Sequence, residues 1–303
     1  MRMGSRVALL CAAIAVLAPG TASAASPFGG VTVQRSDLHP GDTARGQGVS
    51  AVVPPAGHGV VGQAEGPGGS HTLIVNTDSK GRVSVTSDPA SSGGAAAASS
   101  PGPCSDGAYV LLGYKWYGSV DWYFHATATP PEITQINARH DLEHGTENMK
   151  WENNDCGLPN NSSASSAYIA DTGLNTGINN DATCGSDDGV SVVGFGTING
   201  SSILAVTCTW YISHSGYSQA TASDMKFDKD TFTWYTGSTP GGCSNKWSLE
   251  DVATHERGHT FGLGHPDEAN HGNLTMSPNI NGPCQKSEAT LGLGDVNGMN
   301  ALY

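Results

Sequence analysis

Charged and aromatic side chains are both scarce in this chain of 303 residues, at 14% and 7% of the sequence. Basic residues are the scarcer charge, with 14 Lys and Arg against 27 Asp and Glu, and the formal net charge is therefore -13. A surface of this sign repels phosphate backbones and anionic lipid headgroups. We therefore expect neither a nucleic acid nor a membrane as a partner.

Long apolar runs are also missing, although the hydrophobic fraction of 37% is too high for a wholly disordered chain. Residues 7–18 are apolar but fall short of the ~20 residues that a bilayer span needs. They follow Arg2 and Arg6 and precede the small residues 22–24, which is the pattern of a secretory signal peptide. We predict that residues 1–24 are removed and that the protein is secreted.

Cysteine is absent from residues 25–103, and the six that remain after removal of the signal peptide all follow this segment. An even number of cysteines in an exported chain predicts three disulfides. Fifteen pairings are possible. Neighbours along the chain suggest Cys104 with Cys156, Cys184 with Cys208, and Cys243 with Cys284.

The balance of charge changes at the same place. Residues 1–103 contain six basic and five acidic residues, whereas residues 104–303 contain eight and twenty-two. Residues 90–103 consist of Ala, Ser, Gly and Pro, which bury little surface and offer a site for proteolysis. We predict that residues 25–103 are a prosegment or a small accessory region with a Gly/Ala/Ser linker and that residues 104–303 form one folded domain.

Strand and helix patterns alternate in this domain, which predicts an α+β fold of an α/β-like kind. The expected strands in this domain cover residues 109–114, 120–125, 189–195, 203–210 and 222–227, and the preceding segment has possible strands at residues 71–77 and 82–86. A turn at Asn199-Gly200 predicts that the strands at 189–195 and 203–210 form a hairpin.

Two helices have clear start signals. Thr129 and Pro130 predict a helix that runs to about His144. Ser248, with Glu250 in the following turn, predicts the start of a second helix.

The second helix contains the sequence H-E-R-G-H-T-F-G-L-G-H at residues 255–265. His255 and His259 lie one turn apart on one face, where both can bind the same metal ion. Glu256 lies beside them, placed to take a proton from a metal-bound water. Gly262 permits a turn of positive φ that brings His265 back as a third ligand, which leaves a fourth position for water.

This H-E-x-x-H-x-x-G-x-x-H pattern resembles that of the metzincin clan of zinc metalloproteases. Residues 274–278 resemble the clan's Met-turn, which implies that Met276 supports the histidines from below. Within the clan the chain is most similar to the matrixin, or matrix-metalloprotease, type. Residues 222–228 and 294–303 look like the matrixin strand before the active-site helix and the closing helix.

The resemblance implies a metzincin-type zinc-peptidase domain at residues 104–303. Such a domain has a twisted, mostly parallel sheet with an antiparallel edge strand, an active-site helix and a small C-terminal subdomain. A protein or peptide substrate is expected to lie along the edge strand at Leu204, Ala205 and Val206. We therefore expect a secreted, monomeric endopeptidase with one catalytic Zn²⁺ ion, in which a zinc-bound water attacks the peptide bond with Glu256 as general base.

Two other functions fit the same residues. The chain could be an exported zinc-binding surface or binding protein with a vestigial protease motif, or a zinc amidohydrolase that acts on another substrate. An intact Glu256 argues against the vestigial motif, because a structural zinc site has no use for a base.

The matrixin cysteine switch has no counterpart in residues 25–103, which contain no cysteine. If this segment silences the site as a zymogen would, either the chain fills the cleft or His58 or His71 reaches the metal. Cys104 could act instead, but it would leave an odd number of cysteines to pair.

Two further groups of polar residues have both a functional and a plain interpretation. Asp187, Asp188 and Gly189, or Asp228 and Asp230, could hold Ca²⁺, but they are more typical of solvated turns. The sequence H-D-L-E-H at residues 140–144 also places two histidines one helical turn apart, but it lacks the downstream glycine and third histidine. We expect a solvated helix face there.

Overall fold

The computed structural model describes residues 30–67, 69–87, 100–200 and 202–303. The predicted signal peptide and most of the predicted Gly/Ala/Ser linker lie outside these ranges. The described residues form both strands and helices, and the predicted α+β class is confirmed.

Six strands precede the predicted domain boundary. They are β1 (Val31–Gln34), β2 (Thr43–Arg45), β3 (Ser50–Val52), β4 (His58–Gly66), β5 (Gly69–Thr77) and β6 (Val83–Ser87).

Among the described residues, eleven more strands and four α-helices follow the boundary. The strands are β7 (Val110–Leu111), β8 (Tyr114–Lys115), β9 (Val120–His125), β10 (Ser166–Asp171), β11 (Thr183–Cys184), β12 (Ser191–Gly196), β13 (Ala205–Ile212), β14 (Ser218–Asp228), β15 (Thr233–Tyr235), β16 (Lys246–Ser248) and β17 (Leu263–Gly264). The helices are α1 (Gln135–Lys150), α2 (Leu249–Phe261), α3 (Glu268–His271) and α4 (Leu293–Leu302).

One large sheet contains strands from both sides of the predicted boundary. Its order is β1-β6-β5-β4-β13-β14-β12-β9-β10, and β8 pairs with β14 outside this path. Strands β10, β9, β12 and β14 are parallel, and β13 is antiparallel to β14. Strand β4 then pairs antiparallel with all of β13. The N-terminal strands therefore extend the sheet beyond the edge that β13 would otherwise form.

The sheet contributes side chains to two hydrophobic clusters. Helices α1 and α2 cover one face of the parallel strands with apolar side chains such as Leu142 and Val252, both fully buried. A second cluster joins residues of the N-terminal strands, such as Leu73 and Val75, to Val206 and Trp210 of β13. The N-terminal strands thus share a core with the rest of the molecule.

Three disulfides join Cys104 to Cys156, Cys184 to Cys208 and Cys243 to Cys284. These are the pairings that the order of the cysteines suggested.

Within the described ranges, no helix combines the length and the apolar character needed to cross a bilayer.

The start of α1 differs from the prediction. The helix begins at Gln135 with Thr134 as its N-cap, whereas the predicted start was at Thr129. Pro130 is followed by a second proline, and a residue that precedes proline is disfavoured in the α conformation. The helix therefore starts after both prolines, and it ends at Lys150, beyond the predicted end at His144.

Two strand predictions also need correction. The predicted hairpin between residues 189–195 and 203–210 is wrong, because β12 pairs with β9 and β14, whereas β13 pairs with β14 and β4. The first is an internal parallel strand and the second runs antiparallel on the far side of β14. The predicted strand at 109–114 is split into β7 and β8, where Gly113 has a φ of 86°.

Candidate metal centre

Helix α2 begins and ends where its sequence predicts. The Ser248 side chain accepts a hydrogen bond from the Asp251 N–H at 3.3 Å, which caps the first turn. Gly262 ends the helix with a φ of 104°. A Cβ at this position would lie 2.5 Å from the carbonyl oxygen of Tyr114, so both the backbone angle and the space require glycine. This turn directs the chain back toward His265.

The three predicted histidine ligands come together at one point. The Nε2 atom of His255 lies 3.0 Å from Nε2 of His259 and 3.2 Å from Nε2 of His265. Nitrogen ligands at the usual Zn–N distance in a tetrahedral site are about 3.3 Å apart. The donor set and its spacing therefore fit a zinc ion.

Backbone carbonyls fix the orientation of two of these rings. The Nδ1 atom of His255 donates to the Thr275 carbonyl at 2.7 Å, and Nδ1 of His259 donates to the Leu263 carbonyl at 2.9 Å. Because a carbonyl only accepts, these bonds place the proton of a neutral ring on Nδ1 and leave Nε2 as an electron-pair donor. Burial lowers the pKa of His259 to about 3, which keeps that ring neutral at pH 7.

Met276 lies directly below the histidine-bearing helix, as the Met-turn resemblance implied. The side chain is 2% exposed, and its Sδ atom would be 2.1 Å from a Cβ at Gly258. Asp295 of α4 holds the turn by accepting hydrogen bonds from the N–H groups of Thr275 and Met276, at 3.0 and 3.1 Å. The absence of a side chain at Gly258 lets the methionine pack against the helix.

Glu256 is fully buried, and Thr207 of β13 contacts it directly. The Thr207 hydroxyl donates to Oε2 of Glu256 at 2.5 Å. Burial raises the pKa of Glu256 to about 8, and the hydrogen bond from Thr207 acts in the opposite direction. A carboxyl with a pKa near neutrality is suited to exchanging protons. Thr207 itself was not identified from the sequence, because its position next to the base depends on the packing of β13 against α2.

Glu65 of strand β4 is the fourth polar side chain at this point, and sequence reasoning missed it. Its Oε1 atom lies 2.8 Å from Nε2 of His265, 3.6 Å from that of His259 and 3.8 Å from that of His255. These four residues form a group whose ligand atoms all lie within 4.8 Å of one another. The sequence offered one indication of a special role for this residue, since Glu65 is the only glutamate in residues 25–103.

The two histidines considered in its place lie elsewhere. The His58 ring contacts the Ala56 carbonyl at 3.0 Å. His71 pairs with Ala64, the neighbour of Glu65, and successive side chains of a strand point to opposite faces. The hypothesis that His58 or His71 reaches the metal is therefore wrong.

The electrostatics of the group favour a bound cation. Glu65 and His259 are fully buried, and His255 is 1% exposed. Burial lowers the pKa of His255, but Glu65, Glu256 and the Thr275 carbonyl together outweigh this effect and raise the pKa to about 9. Converging lone pairs and a carboxylate thus create a place for positive charge, which a divalent metal ion would occupy.

The predicted substrate-binding residues lie at the edge of the group, and strand β4 is paired with them. Ala205 is opposite Glu65 and Val206 is opposite Ala64, while the Leu204 N–H donates to the Glu65 carbonyl at 2.6 Å. In the full chain this edge is therefore occupied.

The remaining candidate residues give no support to a second functional metal ion. Asp187 and Asp188 accept hydrogen bonds from the N–H groups of the turn at Gly189 and Val190, and Asp228 accepts one from Asp230. These contacts are typical of turns and do not favour calcium.

The second histidine pair lies on α1, and both of its histidines are exposed. His144 belongs to a second group of potential ligands, with Asp141 and Glu250. Glu250 already has a positive partner, since Lys286 donates to it at 2.5 Å.

Comparison with known proteins supports the identity of this centre. A search of curated proteins finds no match to the chain. The model of the matrixin family, a peptidase family, matches residues 203–303, which include β13, α2, all three histidines and the Met-turn. The resemblance to matrixin-type metalloproteases is therefore confirmed over residues 203–303.

Proposed function

We propose that the protein is a secreted zinc-dependent endopeptidase. The observation that carries this proposal is the convergence of three Nε2 atoms, with separations of 3.0 and 3.2 Å, next to a buried glutamate. The matrixin match implies a metallopeptidase and covers the same residues.

The residues of the chain have distinct parts in the proposed reaction. When bound, zinc supplies a Lewis acid that polarises the scissile carbonyl and makes water more acidic. Glu256 removes a proton from the attacking water and later returns it to the leaving amine. Oε2 of Glu256 is held by Thr207, whereas Oε1 has no hydrogen-bond partner among the described residues and is the atom we assign to proton transfer.

The substrate in this proposal is an extended peptide. Strand β13 has one edge bonded to β14 and the other bonded to β4, so a peptide would replace β4 and form main-chain hydrogen bonds with Leu204, Ala205 and Val206. Such bonds recognise backbone rather than side chains. We therefore expect cleavage within unfolded or extended segments of proteins.

An exported location is part of the same proposal. The three disulfides require an oxidising compartment to form and persist. The predicted signal peptide at residues 1–24 would supply the route.

A glutamate-to-glutamine substitution separates catalysis from metal binding. Glu256→Gln preserves size but removes proton transfer, so we expect about one zinc per chain and a rate of casein hydrolysis lower by roughly 100- to 10,000-fold. The matched control is Glu143→Gln, the same change in the second histidine pair on α1. It should leave both zinc content and rate unchanged. The rates are measured after removal of residues 25–103, with and without a chelator.

The same assay distinguishes the alternatives. Zinc binding without hydrolysis of casein by the wild-type enzyme would favour the vestigial motif. Chelator-sensitive hydrolysis of a small amide but not of casein would favour an amidohydrolase. Near-full activity of Glu256→Gln would contradict the assigned base.

A further inference from the structure

Strand β4 lies where an extended substrate would lie. It pairs antiparallel with β13 in a continuous register from His58 opposite Ile212 to Glu65 opposite Ala205. Every residue of β13 therefore has a partner from the N-terminal segment. A substrate could form main-chain bonds to this edge only after β4 leaves.

The alternation of side chains along β4 places Glu65 on the face of the metal centre. Gln63 lies opposite Thr207, whose hydroxyl contacts the catalytic glutamate of α2. Glu65 is two residues further along and therefore points to the same face. Ala64, between them, points to the opposite face and belongs to the core shared with the N-terminal strands.

Among the described residues, the Glu65 carboxylate is paired with the histidines of the metal centre and with no lysine or arginine. The residue is fully buried, and neither carboxylate oxygen has a hydrogen-bond partner among the described residues. Its Oε1 atom faces the Nε2 atoms of the three histidines, at 2.8 Å from that of His265. A buried ionised carboxylate is strongly destabilising unless positive charge lies beside it, and a divalent cation bound to the same three Nε2 atoms would supply that charge.

The distances fit a fourth ligand. The separations of 2.8, 3.6 and 3.8 Å between Oε1 and the three Nε2 atoms bracket the value of about 3.3 Å expected for ligands in a tetrahedral zinc site. The fourth position is the one that a catalytic site leaves open for water. A carboxylate there excludes both water and the scissile carbonyl.

Contacts at both ends hold the strand in this register. At the Glu65 end, its carbonyl accepts the Leu204 N–H at 2.6 Å, and a Cβ at Gly66 would lie 1.7 Å from the Ser202 carbonyl oxygen. Beyond β4, Ser50 and Ala51 of β3 pair with β11, which carries Cys184 of the second disulfide. The position of Glu65 therefore depends on the folded N-terminal strands as a unit.

We propose that Glu65 is a fourth protein ligand of the catalytic metal and that β4 is a built-in occupant of the substrate cleft, which together keep the full-length chain inactive. This inference rests on the proposed zinc peptidase function. Its chemistry is that of a carboxylate ligand, and it explains how a segment without cysteine silences the site.

The test uses the full-length chain loaded with Co²⁺, whose visible absorption reports the ligands of the metal. The probe is acetohydroxamate, a small chelating ligand that needs an open coordination position. We compare the wild type with Glu65→Ala, with the isosteric Glu65→Gln, and with Asp78→Asn as a matched loss of one acidic residue in a partly exposed turn after β5.

The wild type and Asp78→Asn should have the same spectrum and should respond weakly to the probe. Glu65→Ala should have an altered spectrum before the probe is added and should bind acetohydroxamate at a concentration lower by roughly 10-fold or more. Glu65→Gln should change the spectrum in the same direction, because an amide is a weaker ligand than a carboxylate. Circular dichroism checks that each variant is folded.

Identical spectra and identical probe binding in the wild type, Glu65→Ala and Glu65→Gln would overturn the assignment of Glu65. A different result would contradict the proposed function on which this inference rests. If the wild type and all variants bind no metal, the zinc peptidase proposal itself is wrong.

Discussion

Two buried glutamates meet at the metal centre, and their surroundings give them different roles. Glu65 approaches the histidine Nε2 atoms, with a closest distance of 2.8 Å, and its carboxylate oxygens have no other polar partner among the described residues. Glu256 instead accepts the Thr207 hydroxyl and keeps one oxygen without a partner among the described residues. The first arrangement suits a metal ligand, and the second suits a base with a fixed orientation.

Thr207→Val should alter the pH dependence of the enzyme as well as its rate. The hydroxyl stabilises the ionised form of Glu256, so its loss raises the pKa of that carboxyl. The base is then ionised only at higher pH, and the acidic limb of the kcat/KM profile should move to higher pH. The rate at neutral pH should fall roughly 10-fold. The measurement is the pH profile of peptide hydrolysis by the processed enzyme.

Two variants make this result specific. Thr207→Ser keeps a hydroxyl and should restore the wild-type profile. Thr209 lies on the same face of β13 as Thr207, but its hydroxyl is hydrogen-bonded to Ser223, at 2.9 Å, and not to Glu256. Thr209→Val is therefore the control. It should leave the acidic limb in place, and an equal shift in both valine variants would argue against a role for Thr207 at Glu256.

Among the elements, α2 is the one that the sequence predicts best. Its cap, its histidine spacing and its terminal glycine are all local signals within residues 248–265. Local signals of this kind fix which side chains share a helix face and where the chain turns. The approach of the three histidines to one another could therefore be predicted before the fold was known.

Elements that depend on distant partners were harder to predict. The strands β12 and β13 are neighbours in sequence but do not pair with each other, and one partner of β13 is β4, far away in the chain. The contact between Glu65 and His265 spans a long stretch of sequence and follows from the register of β4 on β13. The pattern of apolar and polar residues within either strand does not specify how the two strands align.

The turn after α2 gives a prediction at this scale. Gly262→Ala should destabilise the protein by about 2 to 4 kcal/mol, because it combines a positive φ with a contact of 2.5 Å to the Tyr114 carbonyl oxygen. The variant should also bind less zinc, since the turn positions His265. Urea unfolding and metal content measure the two effects.

Gly113 provides the control for this substitution. It also has a positive φ, of 86°, but a Cβ there would meet nothing within 4 Å. Gly113→Ala should therefore cost only about 1 kcal/mol and keep its zinc. Equal losses in both variants would show that the contact at Gly262 has no effect beyond the backbone angle.

For the molecule as a whole, the change in composition near residue 103 does not coincide with a boundary between two separate folded units. The sequence changes character there, but strands from both sides form one sheet and one core. A segment that folds with the domain and fills its cleft has the properties of an intramolecular inhibitor. The Ala, Ser and Gly residues that follow Ala90 are the place where we expect it to be cut off.

The most direct test is the rate of casein hydrolysis after the full-length chain has been cut by elastase, which cleaves after small residues, and the elastase has then been stopped with a serine-protease inhibitor. N-terminal sequencing follows the cut in the same samples. The account predicts that the full-length chain is nearly inactive and that activity appears together with chains that begin between about Ala90 and Gly107 and have lost β4. It also predicts that Glu256→Gln is cut in the same way without gaining activity. A full-length chain that begins at Ala25 and hydrolyses casein as fast as the cut enzyme would contradict the account.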